Sequence, residues 1–216
     1  MSVNRLYCDK SIIVCVKDPG IVSEDSGMPE LLRKELGGEI YPVHRLDRDV
    51  GGVMVYARTK DAAAALCDEI AKGGMQKEYL AVVQGIPSEP TGELNDLLFH
   101  DRAKNKTYVV DRKRSGVKEA SLDYSVVQTC GEMSLLSVRL HTGRSHQIRA
   151  QFASRKLPLV GDRRYGSTAE CGHIALFAHR LSFTHPASKK RLSFCVMPGD
   201  GEPWRNFSML RGYVDV

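Results

Sequence analysis

The order of strand-like and helix-like segments is the feature of this sequence that most constrains its fold. Short apolar runs bounded by glycine, proline and charged residues predict strands, and three segments have the spacing of an amphipathic helix. Because the strands outnumber the helices and do not alternate strictly with them, the pattern favours an α+β fold with a largely antiparallel sheet. We predict strands at residues 12–16, 53–57, 78–83, 120–128, 133–140, 173–183 and 191–197, and helices at residues 29–36, 61–72 and 145–154.

The segment 61–72 has the most regular helical pattern. Ala63, Leu66, Cys67 and Ile70 occur at positions i, i+3, i+4 and i+7, which places them on one apolar face of a helix. The glycine at position 73 follows the last of these turns, where glycine commonly ends a helix. We therefore expect all four side chains to face the core.

Size and composition indicate one ordinary globular domain. The 216 residues contain no repeat and no low-complexity linker, so we expect a single domain over residues 1–216 and a monomer. The net charge of +5 is a mild basic bias, compatible with a polyanionic partner. No apolar run approaches the roughly 20 residues that a membrane span needs, and no apolar segment opens the chain, so we expect no membrane partner and no signal peptide.

The six cysteines are scattered along the chain and include no closely spaced pair of cysteines. Without a secretory signal we expect them to be reduced thiols in a cytoplasmic protein. Cys171 and His173 have a spacing that metal ligands can have, but no second pair lies nearby in the sequence. We therefore predict no metal site.

A run of charged residues surrounds Asp47. Arg45 lies two residues before this aspartate and Arg48 directly follows it, and the run ends at two glycines. Neighbouring guanidinium groups favour the ionised carboxylate, which suits a nucleophile or a general base better than a general acid. The same residues are also compatible with a solvated loop in which the ion pairs are incidental.

A second polar segment precedes the helix predicted from residue 145. Gly143 breaks the chain and Ser145 is a plausible N-cap, while His146 and Arg149 lie three residues apart on one helical face. The start of such a helix suits an anion, which could be a phosphate or the carboxylate of Asp47. An ordinary surface helix with polar residues remains the alternative.

Two further segments have both a structural and a functional interpretation. Tyr79 lies on a predicted strand, where a tyrosine can be a core residue or can contact a substrate. Residues 101–118 contain seven lysines and arginines with Tyr108 between them, which predicts a loop that follows phosphates or is simply solvated.

Taken together, these segments resemble the motifs of the RluA-type pseudouridine synthases. The similarity covers residues from about 6 to 198. Two departures stand out, because Val50 and Gly51 replace the usual Thr-Ser and the early Lys-Pro-x-Gly turn is shifted in Lys17–Gly20. The matching segments occur in the family's order at residues 43–48 with Gly52, 77–85, 142–149, 159–162 and 174–186.

The resemblance implies a fold, a reaction and three catalytic residues. The fold would be a mixed, mostly antiparallel sheet flanked by helices and loops, with a central active-site cleft. The reaction would isomerise uridines of rRNA or tRNA to pseudouridine without a cofactor or a metal. Asp47 would be the nucleophile, Tyr79 would pack against the base, and Arg149 would pair with Asp47. The resemblance also implies that a separate N-terminal RNA-binding domain is missing.

The remaining candidate residues would bind the RNA substrate. His44 is expected to position the catalytic loop rather than to act as a base, and Lys104 and Lys106 are expected to contact the RNA backbone. The predicted substrate-binding residues are His44, Arg45, Arg48, Arg144, His146, Gln147, Lys104 and Lys106.

Two alternatives to this function remain open at this point. A catalytically inactive RNA-binding homologue is favoured by the Val50-Gly51 departure and opposed by the retention of Asp47, Tyr79 and Arg149. A hydrolase would need a second carboxylate or a metal, and Asp49 is the only acidic candidate nearby in the sequence. The sequence also leaves open whether Asp47 attacks the base, attacks the sugar or removes a sugar proton.

Overall fold

The computed structural model of the protein describes residues 3–24 and 26–212, with side chains up to residue 210. These residues form strands β1 (Arg5–Cys8), β2 (Ile12–Lys17), β3 (Tyr41–Pro42), β4 (Gly51–Ala57), β5 (Gln76–Gln84), β6 (Thr91–Asp101), β7 (Lys106–Val110), β8 (Val117–Cys130), β9 (Met133–Leu140), β10 (Leu176–Thr184) and β11 (Arg191–Cys195). The α-helices are α1 (Met28–Leu36), α2 (Lys60–Ala71), α3 (Gln147–Ser154) and α4 (Met209–Gly212). Within the described ranges no helix is long and apolar enough to cross a membrane.

The described chain forms two compact units. The first unit comprises the described residues up to Lys77 together with Phe177–Pro198. The second unit comprises Glu78–Leu176 together with the described residues from Gly199 onward. The single domain expected over residues 1–216 stays a prediction.

The first unit contains a mixed sheet in the strand order β1-β2-β4-β10. Strand β3 adds to β4 and β11 adds to β10. All of these neighbours are antiparallel except β4 and β10, which are parallel. The central strands β2 and β4 are apolar along most of their length because both faces are covered, as is usual for buried strands.

Helix α2 packs on the core of the first unit. Its N-terminus is capped by Thr59, whose hydroxyl accepts a hydrogen bond from the backbone N–H of Ala62 at 3.1 Å. Leu66 is fully buried and Ala62 and Ile70 lie one turn to either side of it. The prediction that Cys67 faces the core is wrong, because it lies about 100° around the helix from Leu66 and is exposed.

The second unit contains strands in the order β5-β9-β8-β6-β7. The pairs β9–β8, β8–β6 and β6–β7 are all antiparallel. Helix α3 packs on one face of this sheet, where Ala150 contacts the buried side chains of Leu98 and Ala120. Together the two units confirm the predicted α+β fold with a mixed, mostly antiparallel sheet.

The predicted basic loop at residues 101–118 is wrong in its local structure. Strand β6 extends to Asp101, β7 covers Lys106–Val110, and β8 begins at Val117. The β-branched residues of β7 favour an extended backbone, and the lysine and arginine side chains are tolerated because they project from a strand at the end of the sheet order. The high density of charged residues therefore led to the wrong prediction of a loop in a segment that contains strands.

Gly52 occupies a position that requires glycine. Its φ is +126°, and an added Cβ would lie 2.3 Å from the carbonyl oxygen of Ala178 on β10. We expect Gly52→Ala to lower the free energy of unfolding by about 2–4 kcal/mol, because it combines backbone strain with a clash. Urea unfolding measures the change, and Gly199→Ala is the control because a Cβ there meets nothing within 4 Å. Equal stability of the two variants would contradict the close approach of the strands.

Candidate active site

The predicted catalytic residues are divided between the two compact units. Asp47 belongs to the first unit, whereas Tyr79 and Arg149 belong to the second. In the first unit, Asp47 lies on the connection between β3 and β4. In the second, Tyr79 lies on β5 and Arg149 on α3.

A tight turn holds the backbone of Asp47. The N–H of Val50 donates a hydrogen bond to the carbonyl oxygen of Asp47 at 3.0 Å. The buried side chains of Leu46 and Val50 anchor the turn on both sides, while Arg48 and Asp49 between them are exposed. The aspartate is thus displayed at a fixed position and keeps part of its surface accessible.

A buried lysine ties this turn to the end of β2. Lys17 is fully buried, and its ammonium donates hydrogen bonds to three backbone carbonyls. The acceptors are Asp18 at 3.1 Å, Ile21 at 2.7 Å and Arg48 at 3.0 Å. Because Arg48 directly follows Asp47, Lys17 fixes the backbone next to the predicted nucleophile.

The charge of Lys17 is also part of the site's electrostatics. Burial lowers the pKa of Lys17 to about 8, while the carboxylates of Asp49, Asp47 and Asp18 act in the opposite direction. A cation and the predicted nucleophile therefore interact electrostatically. The sequence offers only one signal for this role of Lys17, which is the position of a lysine at the end of an apolar strand.

Arg48 contributes to the same loop structure. Its Nε donates to the carbonyl oxygen of Gly20 at 3.0 Å, and its own carbonyl accepts from the N–H of Gly20 at 2.8 Å. These reciprocal bonds join the loop after β2 to the turn that carries Asp47. Contact between Arg48 and RNA stays a prediction.

Buried hydrogen bonds also hold the chain just before Asp47. The hydroxyl of Ser23 donates to the carbonyl oxygen of Leu46 at 2.9 Å and accepts from the N–H of Leu46 at 3.2 Å. The hydroxyl of Tyr56 on β4 donates to the carbonyl oxygen of Ser23 at 2.9 Å. Satisfied polar groups of this kind rigidify a loop because an unpaired alternative is costly.

His44 connects the loop that carries Asp47 to β4. Its Nε2 accepts a hydrogen bond from the N–H of Val55 at 3.1 Å, which requires an unprotonated Nε2. Burial, with a smaller contribution from Lys77, lowers the pKa of His44 to about 3. The imidazole is therefore neutral near pH 7, and its geometry suits a positioning residue.

Arg45 is an exposed member of the predicted substrate-binding residues in the first unit. Its Nη1 lies 3.4 Å from a carboxylate oxygen of Glu24, and both side chains are exposed. Exposed ion pairs contribute little to stability and exchange partners easily. The guanidinium can therefore exchange this carboxylate for another anion at little cost.

Arg149 is fixed by an ion pair that the sequence analysis missed. Its Nε and Nη2 donate to Asp162 at 2.6 Å and 3.0 Å, which is a bidentate arrangement. The residues are 5% and 1% exposed, so the pair is almost completely buried. Asp162 was only noted as part of the similar segment 159–162.

Tyr165 completes the surroundings of Arg149. Its hydroxyl oxygen accepts from the N–H of Thr107 at 2.7 Å and lies 3.0 Å from Nδ1 of His146. Its ring centroid is 5.0 Å from Cζ of Arg149 and 5.2 Å from Nζ of Lys106. Burial is the main cause that raises the pKa of Tyr165, so the phenol stays protonated and the ring binds cations without ionising.

The start of α3 differs from the predicted cap. Ser145 is not the N-cap, because the helix begins at Gln147 after a left-handed His146 with φ +52°. The side chain of Gln147 instead holds the turn before the helix, since its Oε1 accepts from Arg144 N–H at 3.0 Å and from the Thr142 hydroxyl at 2.8 Å. The predicted substrate-binding residues His146 and Gln147 are thus held by local hydrogen bonds.

The other predicted contacts of the second unit differ in exposure. Tyr79 is 6% exposed, so its side chain belongs to the interior. Arg144 is exposed and donates from Nε to the carbonyl oxygen of Glu119 at 2.9 Å. Lys104 is exposed in the turn between β6 and β7, where its carbonyl accepts from Arg164 at 2.9 Å.

Cys171, which was considered with His173 as a possible metal ligand, has a hydrogen-bond acceptor in the structure. The thiol of Cys171 lies 3.4 Å from the carbonyl oxygen of Glu202, which serves as its acceptor. Within residues 3–24 and 26–210, no group of three or more His, Cys, Asp or Glu side chains could hold a metal ion.

The neutral state of His44 predicts an acid-dependent loss of stability. Its pKa of about 3 in the folded protein lies below the value of about 6.5 in an unfolded chain. The unfolded chain therefore binds more protons between pH 3 and 6.5, and the stability is lost as pH falls through that range. Between pH 6.5 and 4.5 the wild type should lose about 1–2 kcal/mol more than His44→Gln, since the half-buried ring is partly screened.

Urea unfolding at the two pH values measures this difference. Glutamine can keep an acceptor for the N–H of Val55 without titrating. The control is His173→Gln, because His173 is exposed, and its pH dependence should match that of the wild type. If the free energy of unfolding changed equally with pH in the wild type and in His44→Gln, the neutral state of His44 in the folded protein would be contradicted.

A family model described as RNA pseudouridylate synthase matches residues 11–154. The chain is also 28% identical to tRNA pseudouridine synthase C of Pasteurella multocida over 94% of each chain. It is 37% identical to an uncharacterized RNA pseudouridine synthase of Chloroflexus aurantiacus, over 76% of this chain and 53% of that one. Ribosomal large subunit pseudouridine synthase D of Xanthomonas campestris is 33% identical, over 86% of this chain and 63% of that one.

Solved structures show the same fold. Human RNA Pseudouridylate Synthase Domain Containing 1 superposes with a TM-score of 0.78 at 21% identity, covering 92% of this chain and 84% of that one.

The chain spans only 53% and 63% of the Chloroflexus and Xanthomonas relatives, so those proteins have further sequence outside the match. Because the family model covers more than half of the sequence, the chain belongs to the RNA pseudouridylate synthase family, whose members isomerise uridine to pseudouridine in RNA.

Proposed function

We propose that this chain isomerises specific uridines of rRNA or tRNA to pseudouridine, with Asp47 as the nucleophile. The observation that carries the proposal is the fixed display of Asp47 on a turn held by buried Lys17 and Val50. A carboxylate whose backbone is immobile and whose surface is accessible suits attack on a substrate that enters from solvent. The family match and the tRNA- and rRNA-modifying relatives supply the substrate class. A cytoplasmic location would fit this substrate.

The reaction rearranges one nucleotide without adding or removing atoms. The target uridine leaves its stack and enters the site. With Asp47 acting on the base or the sugar, the bond from N1 to the sugar breaks and the uracil turns. C5 then bonds to the same sugar carbon, and the proton on C5 leaves while N1 gains one. The nearby Lys17 cation interacts electrostatically with Asp47.

Arg149 is proposed to pair with Asp47, as the family resemblance implies. The support from the second unit is the buried bidentate bond to Asp162, which fixes the plane of the guanidinium. An arginine that must aim a carboxylate needs such a fixed orientation. Tyr79 is proposed to pack against the uracil and to assist the loss of the C5 proton. Its interior position on β5 is compatible with a side chain that forms an apolar wall of the uracil site.

The remaining predicted residues are proposed to bind the RNA backbone. The exposed guanidinium groups of Arg45 and Arg144 and the exposed amine of Lys104 can reach phosphates. His146 and Gln147 are proposed to shape the surface next to Arg149. Only part of the Arg48 guanidinium is available to contact RNA, because its Nε already donates a hydrogen bond to the carbonyl oxygen of Gly20.

The inactive alternative gains no support from the structure of the catalytic turn. Val50, which replaces a threonine usual in the family, is buried and donates its N–H to Asp47. The turn is therefore closed by an apolar contact and a backbone hydrogen bond, and it needs no hydroxyl at this position. Loss of the hydroxyl by itself thus gives no reason to expect loss of turnover.

Replacement of Asp47 tests the proposed function directly. We expect the full chain to release tritium from tRNA or rRNA labelled at C5 of uridine, and Asp47→Asn to reduce the rate at least about 10³-fold. The matched control is Asp49→Asn, which removes the other carboxylate of the same loop and should retain the rate within about tenfold. Equal release by the wild type and Asp47→Asn would exclude Asp47 as nucleophile, and an equal loss of release in Asp49→Asn would show that the effect is not specific to Asp47.

The Asp162–Arg149 pair predicts a separate effect on turnover. Asp162→Asn should lower kcat about 10–100-fold with little change in KM, because the guanidinium loses its fixed orientation. Stability should also fall, since removing one partner leaves a buried charge uncompensated. Tritium-release kinetics and urea unfolding measure the two effects.

Asp96→Asn is the matched control for this variant. Asp96 bonds Arg155 and Gln151 of the α3 region, so its loss also weakens the packing of that helix. We expect it to lower stability while kcat stays close to the wild-type value. An equal fall of kcat in both variants would show that α3 packing, rather than the orientation of Arg149, limits turnover.

A further inference from the structure

An aromatic row lies on the outer face of the second unit's sheet. Phe99 on β6 is directly opposite Tyr108 on β7 and Val117 on β8. Residues directly opposite one another in antiparallel strands project to the same face. Their neighbours Leu98 and Val109 pack into the core, so the row faces away from it.

Apolar side chains extend this row along the strands. Leu97 and Val110 form the next pair on the same face. We call the five residues Leu97, Phe99, Tyr108, Val110 and Val117 the outer platform. All five reach solvent to some extent, and Tyr108 is 37% exposed.

Cations lie directly on the rings of the outer platform. Cζ of Arg114 is 4.8 Å from the centroid of Phe99, and Nζ of Lys106 is 5.6 Å from the centroid of Tyr108. Between residues 101 and 118 the chain has seven lysines and arginines but two aspartates. The platform is therefore an aromatic surface with a strong positive charge around it.

The same alternation of rings and cations continues to the predicted catalytic arginine. Lys106 lies between Tyr108 and Tyr165, since its Nζ is also 5.2 Å from the Tyr165 centroid. Tyr165 in turn lies 5.0 Å from Cζ of Arg149. Tyr165 packs against Leu98 and Ala150 on the face that α3 covers, so Lys106 lies between the outer platform and the opposite face, on a strand at the end of the sheet order.

This combination of groups matches the chemistry of unpaired nucleotides. Bases stack on aromatic rings and on arginine planes, while lysines and arginines neutralise the phosphates between them. A docked protein strand is the less suitable occupant, because charged side chains on a strand at the end of a sheet oppose strand addition. A duplex is also less suitable, since its bases are not available for stacking.

We propose that the outer platform binds unpaired nucleotides of the RNA substrate, with bases stacked on Tyr108 and Phe99 and phosphates on Lys106 and Arg114. The proposal rests on the proposed function in that it names a second contact surface for the same substrate. It assigns a binding role to Tyr108, Phe99 and Arg114, and it gives the predicted RNA contact of Lys106 a specific geometry.

Direct binding tests the proposal in the full chain. The Asp47→Asn protein, which cannot turn over, is titrated into fluorescently labelled single-stranded octauridylate and into a labelled RNA duplex of equal length. Tyr108→Ala in this background should weaken single-strand binding about five- to 100-fold, the range for loss of one stacked base. Tyr108→Phe is the matched control, because it keeps the ring and should keep the affinity.

Binding to the duplex distinguishes base stacking from charge attraction. The affinity of the protein for the duplex should change little in Tyr108→Ala, because the phosphates of the duplex can still contact the cations. An equal loss for duplex and single strand would overturn the stacking role, and unchanged single-strand affinity would overturn the proposal as a whole. The exposed position of Tyr108 makes misfolding easy to exclude by comparing the urea midpoints of the two variants.

Photo-crosslinking locates the contact independently of affinity. Octauridylate that contains 4-thiouridine should crosslink to the peptides that hold Phe99 and Tyr108, as identified by mass spectrometry. Crosslinks confined to other segments would overturn the proposal, even if Tyr108→Ala weakened binding.

Turnover measurements distinguish failure of this proposal from failure of the proposed function. With RNA labelled at C5, Tyr108→Ala should raise KM by about the same factor as the loss of affinity and leave kcat near the wild-type value. Absence of tritium release by the wild type would contradict the proposed function and leave the binding result valid. Wild-type release with an unchanged KM in Tyr108→Ala would contradict the platform alone.

Discussion

The buried ammonium of Lys17 is the constraint on which the candidate site of the first unit depends. A charge without access to water must be surrounded by hydrogen-bond acceptors, and the chain meets this demand with the carbonyls of Asp18, Ile21 and Arg48. These carbonyls belong to two segments that are distant in sequence. Satisfying Lys17 therefore forces the end of β2 and the turn after Asp47 into one geometry, and the position of the predicted nucleophile follows from it.

Arg149 in the second unit is held by the same physical principle. Its guanidinium is almost completely buried, and the bidentate bond to Asp162 together with the ring of Tyr165 determines its orientation. In both units a buried charge is therefore fixed by hydrogen bonds that include a partner from another segment of the chain. The arginines next to Asp47 in the sequence have other contacts, since Arg45 pairs with exposed Glu24 and Arg48 bonds Gly20.

This difference explains what the sequence could predict. Apolar patterning located β4, β9 and α2, because a strand that is buried on both faces leaves a continuous apolar run and a helix that is buried on one face leaves a periodic pattern. It could not locate β7, where charged side chains interrupt the pattern, nor the roles of Lys17 and Asp162, because hydrogen bonds between distant segments leave no local spacing. Ser145 was misassigned as a cap for the same reason, since the side chain of Gln147 folds back over the turn.

The two departures from the family pattern lie next to each other in the structure. A Cβ added to Gly51 would lie 3.0 Å from Cδ of Pro19 and 3.1 Å from the carbonyl oxygen of Lys17, which is a tight approach. The shifted turn brings Pro19 into the space that a serine side chain at position 51 would need. Gly51 and Pro19 therefore lie close to each other, and Lys17 bonds the carbonyl oxygen of Arg48 beside them. The support of Asp47 thus persists although the residues around it differ from the pattern, because it depends on backbone carbonyls that any sequence provides.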